Sequence, residues 1–175
     1  MSEQFRCPVK FDKAEIERLV QIYKENKRGM EKEESALRAG QEIASRNFSK
    51  QNLLAIVVWK SQRAKSWAES NSEAEIEDAL RLAVDAKTDR AAIAVLMGLR
   101  GVGIPMASAI LTTIKPKHFT VIDVLALKSL GVVKEPALTI DYYLDYQAFW
   151  QREASNRNVE LRDFDRALWQ NSKSS

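Results

Sequence analysis

Two features of this chain have residue types and spacing that can do chemistry together: a Gly101-Val102-Gly103 turn and the aspartate that follows it, Asp123. Glycine lacks a Cβ, so it accepts positive φ and lets another backbone or a ligand approach closely. Helix-like sequence lies on both sides of the turn, and Val102 is placed to plug the groove between the two helices. The second helix starts with N–H groups that have no intrahelical partner, and such a start binds phosphate. Asp123 stands just before another helical run, where it can act as an N-cap. A carboxylate there can also stabilise a developing positive charge or orient a water molecule. A phosphate clamp followed by a carboxylate suits chemistry on a nucleic acid.

Charge points the same way. The net charge is only +3, but from Lys87 to Lys134 there are seven basic residues against two acidic ones, Asp89 and Asp123. The excess surrounds the glycine turn, where an electrostatic footprint for phosphates is expected. Otherwise the composition is that of an ordinary globular protein, 45% apolar and 29% charged. No apolar run is long enough for a membrane span, and Met1 to Lys10 lacks the apolar core of a signal peptide. The single cysteine, Cys7, excludes an internal disulfide and any site built from several cysteines. The reading is a cytoplasmic protein, or a nuclear one in a eukaryote, with no membrane association.

The elements that must position these residues read almost entirely as helices. Asp12 caps a stretch to Lys27 in which Ile16, Leu19, Val20 and Tyr23 share one face. A second amphipathic helix is expected over Glu31 to Arg46. Ser49 caps Gln51 to Trp59, which is apolar nearly all round and reads as a buried central helix. Ser72 and Glu75 form a capping box that opens a helix to about Ala86, and Asp89 caps another that ends at Leu99-Arg100. Pro105 falls in the first turn of the next helix, where its missing N–H costs nothing, and that helix stops at Ile114 before Pro116. Asp123 begins a helix to Leu130. Thr139 to Arg157 and Leu161 to Gln170 complete an all-α chain, followed by a polar tail at Ser172 to Ser175.

Leu99-x-Gly101-Val102-Gly103-x-x-x-Ala107, then Phe119-Thr120-Val121-Ile122-Asp123, resembles the helix-hairpin-helix DNA glycosylases, whose hairpin region ends in a catalytic aspartate. The resemblance covers roughly Ala91 to Gly131, with a looser similarity over Leu53 to Gln62. It implies two helical lobes with a cleft between them in one compact unit. Residues 50–114 would form a central lobe carrying the hairpin, and residues 1–49 and 115–175 the N- and C-terminal lobe. It also implies double-stranded DNA as partner and hydrolysis of the N-glycosidic bond of a damaged or mismatched base.

Each candidate residue then takes a role. Asp123 is the catalytic carboxylate. Gly101, Val102 and Gly103 hold one DNA strand, with Arg100, Lys115, Lys117, Lys60 and Arg63 supplying phosphate contacts that position without specifying sequence. Gln62 fills the gap left by a flipped base, while Trp59 or Trp67 stacks on that base. The resemblance implies a monovalent cation, K or Na, on the backbone carbonyls at Gly101 and Gly103, and no other cofactor. The iron–sulfur cluster of some members is ruled out because no cysteine follows Cys7. Pro105 stands where lyase-active members carry a lysine, so hydrolysis by water without strand cleavage is expected. The segment between Gln62 and Gly101 is shorter than in typical members, which implies a simplified base pocket. Two other readings suit the same residues: a non-catalytic hairpin-type DNA-binding protein, and a helical protein-interaction module whose Gly-Val-Gly is only a tight turn.

Overall fold

The computed structural model describes Phe5, residues 11–132 and residues 137–174; Cys7 and Ser175 lie outside the described residues. Among them are ten α-helices, one short 3-10 turn and no strand, so the chain is all-α. In order the helices are α1 (Lys13–Glu25), α2 (Lys27–Ala44), α3 (Lys50–Lys60), α4 (Lys65–Glu69), α5 (Glu73–Asp85), α6 (Asp89–Leu96), α7 (Ile104–Ile114), α8 (Val124–Ser129), α9 (Ile140–Arg157) and α10 (Leu161–Ser174). No helix among the described residues is long and apolar enough to cross a membrane.

Side-chain caps set most boundaries. Asp12, Ser49, Ser72, Asp123 and Thr139 each accept an N–H from the turn they open, and Ser72 with Glu75 makes the full capping box. Four boundaries differ from the sequence reading, one of them the end of α6, which falls at Leu96 and not at Leu99-Arg100. Helix α2 starts at Lys27, because Asn26 accepts the Gly29 N–H at 3.1 Å and caps a first turn with no apolar periodicity. Thr88, rather than Asp89, caps α6, accepting the Ala91 N–H at 3.2 Å. The expected polar tail is helical through Ser174. The 3-10 turn at Gln62–Ala64 and the short α4 are too brief to show a period.

Helix α3 is the central helix that its composition predicts: Leu53, Ile56 and Val57 are wholly buried and its other apolar side chains are half-buried. Helix α2 lies along α3 and α7, while α10 packs against α1, α8 and α9. Helix α1 thus rests on α10, and α2 on elements of the 50–114 segment. Gly40 permits the α2–α7 contact, since a Cβ there would sit 2.3 Å from the backbone of Thr113. The largest buried side chains include Trp150, Tyr143, Tyr146, Phe119 and Phe164, which fill the core beside the segment leading to Asp123.

Burial also encloses one charged cluster. Glu33 on α2 is fully buried and accepts Arg162 Nε at 3.1 Å, Arg166 Nη2 at 2.6 Å and the Tyr23 hydroxyl at 2.6 Å. Burial alone pushes the Glu33 carboxyl up, but the two guanidinium groups outweigh it and hold it below its ordinary value. The same burial pushes the Tyr23 hydroxyl up, keeping it a donor. This cluster ties α1 and α2 to α10.

Candidate active site

Asp123 caps α8, its Oδ1 accepting the Ala126 N–H at 2.8 Å, and its Oδ2 accepts Lys60 Nζ at 2.7 Å. The aspartate side chain keeps 22% of its accessible surface and the lysine 13%, so the pair is partly shielded from water but not sealed. In position, then, Asp123 is both a helix cap and an accessible carboxylate. Lys60, expected at a DNA phosphate, is instead its ion-pair partner.

The approach to Asp123 is fixed atom by atom. Tyr143 donates its hydroxyl to Thr120 O at 2.9 Å, and Tyr146 donates to Val121 O at 3.2 Å. Asp165 accepts the Thr120 hydroxyl and the Val121 N–H, and Arg162 donates to it at 3.3 Å. Burial raises the Asp165 carboxyl to about 6, although Arg162, Thr120 and Val121 all favour its charged form. Ile122 donates its N–H to Ser108 Oγ at 3.2 Å, and the Ser108 hydroxyl donates to Pro105 O at 2.9 Å. One hydroxyl therefore joins the first turn of α7 to the residue before Asp123.

Beside the Lys60–Asp123 pair lies a cavity of about 220 Å³. Trp59, Tyr23 and Trp169 give it aromatic walls, the last two meeting edge to face with ring centroids 5.3 Å apart. Arg162, Lys32 and Lys173 add cationic groups. Of the side chains expected around a flipped base, Trp59 lines the cavity; Gln62 and Trp67 do not. The roles of Trp169, Tyr23 and Arg162 at the cavity have no signal in the sequence. They reach the cavity from α1 and α10, far from Asp123 in the chain, so no spacing rule brings them together.

The glycine turn is built differently. Between α6 and α7, Gly101 has φ +81°, and a Cβ there would meet the Trp67 Cβ at 2.8 Å. Gly103 is extended (φ −97°, ψ −175°), and a Cβ there would make only an ordinary contact with Pro105 Cδ at 3.9 Å, so only the first glycine is required by conformation. Val102 is buried, as a plug should be. Gly103 caps α7 without a side-chain acceptor, leaving the early N–H groups of α7 uncapped. Asn71 holds the turn in place: its Oδ1 accepts the Arg100 N–H at 2.9 Å and its Nδ2 donates to Arg100 O at 3.0 Å. Sequence reading missed Asn71, whose partner lies in a separate loop.

Around this turn the surface is open. Trp67 is 66% exposed and Met97 39% exposed, with Arg63 and Arg100 exposed nearby in the chain. Arg100 also donates to Ser70 O at 2.8 Å, while Lys115 and Lys117 are exposed at the far end of α7. For a monovalent cation, Gly103 O already accepts the Ala107 N–H at 2.8 Å, and a carbonyl keeps a second lone pair for an ion. Gly101 and Gly103 are both exposed. No cluster of three or more His, Cys, Asp or Glu side chains able to hold a metal occurs among the described residues.

Compared with family models, curated proteins and solved structures, the chain matches none of them.

Proposed function

We propose that this protein is a DNA N-glycosylase that hydrolyses the bond between a flipped base and its deoxyribose, with Asp123 as the catalytic carboxylate. The observation that carries the reading is the joint placement of Asp123. It stands at the edge of an aromatic cavity, and Ser108 links the backbone just before it to the first turn of α7. A strand held by the turn would bring its extruded nucleotide toward that carboxylate.

In this reading α6, the glycine turn and α7 act as a helix-hairpin-helix clamp. The uncapped N–H groups after Gly103, with any monovalent ion on the turn carbonyls, hold phosphate. Arg63, Arg100 and the exposed Trp67 extend the contact surface. The flipped base enters the cavity against Trp59. As the C1′–N bond lengthens, positive charge grows on the sugar, and Asp123 stabilises it as carboxylates do in glycoside hydrolysis. Asp123 then accepts a proton from the water that attacks C1′. Pro105 offers no amine at the start of α7, which supports hydrolysis rather than strand cleavage.

A second reading has its own support. Both Asp123 oxygens are engaged, one by the Ala126 N–H and one by Lys60, as in a cap whose role is purely structural. The protein would then bind DNA through the turn without cutting.

One experiment separates the two. Duplexes carrying uracil, an alkylated purine, oxidised guanine or a mismatch are incubated with the protein, and abasic products are cleaved with alkali. The glycosylase reading expects release from at least one duplex, slowed about a hundredfold or more by Asp123→Asn. Salt-sensitive binding without release supports the second reading instead. A nick without alkali contradicts hydrolysis alone and implicates Lys60, the amine beside Asp123.

A further inference from the structure

The two indoles that border the cavity already carry protein cations on their faces. The Arg162 guanidinium carbon lies 5.1 Å from the Trp59 ring centroid, and Lys173 Nζ lies 3.9 Å from that of Trp169. An aromatic face attracts a cation through its quadrupole, so one face of each indole already holds a protein cation. The nearby acids are engaged as well: Asp123 by Lys60, Asp165 by Arg162, and Glu33 by Arg162 and Arg166. Lys32 and Lys173 border the cavity without an ion-pair partner among the described residues. The unmatched charge at this site is therefore positive.

We propose that the cavity selects an uncharged base with an acidic ring N–H, one that departs as an anion, and rejects bases with a formal positive charge. This rests on the glycosylase reading. A cationic alkylpurine finds each neighbouring carboxylate already paired with a protein cation, and it meets two lysines without an ion-pair partner among the described residues. An acidic base gains from the same groups. When its C1′–N bond breaks, the electron pair stays on the base nitrogen, and the unmatched Lys32 and Lys173 stabilise that negative charge. Water forms the new C1′–O bond, its proton passes to Asp123, and the released base anion takes a proton from solvent.

The test is single-turnover release by the full chain from duplexes with one uracil, one 5-hydroxyuracil or one N7-methylguanine, each corrected for spontaneous loss. Release of uracil or 5-hydroxyuracil is expected to exceed that of N7-methylguanine by about tenfold or more. Lys173→Gln uncovers the Trp169 face and removes a cation; it should slow release of the acidic base by about tenfold and narrow the preference. N7-methylguanine released as fast as the acidic bases overturns the proposal and leaves the glycosylase reading standing. So does Lys173→Gln that is folded by circular dichroism and keeps the parent's preference. No release from these duplexes or from the wider set of lesions overturns both.

Discussion

The Ser108 hydroxyl joins the residue before Asp123 to the first turn of α7, the helix that follows the glycine turn, yet Asp123 and that turn are held in opposite ways. The segment before Asp123 is buried and gripped by Tyr143, Tyr146, Asp165 and Ser108. The turn stands at the surface, pinned by Asn71 and by the Arg100 side chain on Ser70 O, with Trp67 and Met97 exposed beside it. A carboxylate that must meet a reacting carbon needs a fixed position, and a buried hydrogen-bond network supplies it. A clamp on phosphate needs exposed N–H groups and charge, so it can rest on a lighter frame.

Under the proposed function, damage to the buried region costs folding, and damage to the turn costs DNA affinity. The largest effect expected is for Glu33→Ala, which strands Arg162 and Arg166 without their shared partner; breaking such a buried cluster costs about 3–5 kcal/mol, read by urea unfolding. Glu33→Ala as stable as the parent would remove the cluster from the account. Next, Gly40→Ala forces α2 off the Thr113 backbone and should cost about 1–3 kcal/mol in the same assay. Asn71→Ala leaves the Arg100 backbone groups short of partners, for a loss of about 1–3 kcal/mol, and should also weaken duplex binding. Trp67→Ala should leave stability within about 0.5 kcal/mol of the parent while weakening DNA binding, read by fluorescence anisotropy at two salt concentrations. A stability loss as large as that of Gly40→Ala would place Trp67 in the core and break the contrast.

Acid sharpens the same comparison. Glu33 is held below its ordinary value, so its contribution is present above the unfolded glutamate range and is lost as pH falls through the folded value. Asp165 works in the opposite direction. Raised to about 6, it binds its proton more tightly folded than unfolded, so the stability tied to that proton is lost as pH rises through about 6. Glu33→Gln should therefore flatten the acid limb of unfolding free energy against pH, and Asp165→Asn should flatten the slope near pH 6. Parallel curves for parent and variants would contradict both assignments.

Much of the fold was legible because caps and periodicity are local. Asp12, Ser49, Ser72 and Asp123 announce the helices they open, and the apolar run after Ser49 announces the central helix. Helix α4 and the 3-10 turn were not legible, being shorter than any period that could reveal them. Of the site, Asp123, Trp59 and the buried Val102 plug were readable from spacing and type. The Lys60–Asp123 pair, the Asn71 clasp and the cavity walls from Tyr23, Arg162 and Trp169 were not. They join residues distant in the chain, and only the packing of α1, α3 and α10 decides which side chains meet.

The central claim is that Asp123 performs chemistry as well as capping α8, and one measurement addresses it directly. Single-turnover base release is compared for the parent and Asp123→Asn on whichever lesion duplex the parent cleaves, with thermal unfolding run on both. Asparagine keeps an oxygen that can cap α8 but carries no charge. The account predicts a fall in rate of about a hundredfold or more with the helical fold retained. Release by Asp123→Asn at the parent's rate would contradict it and leave Asp123 as a helix cap alone.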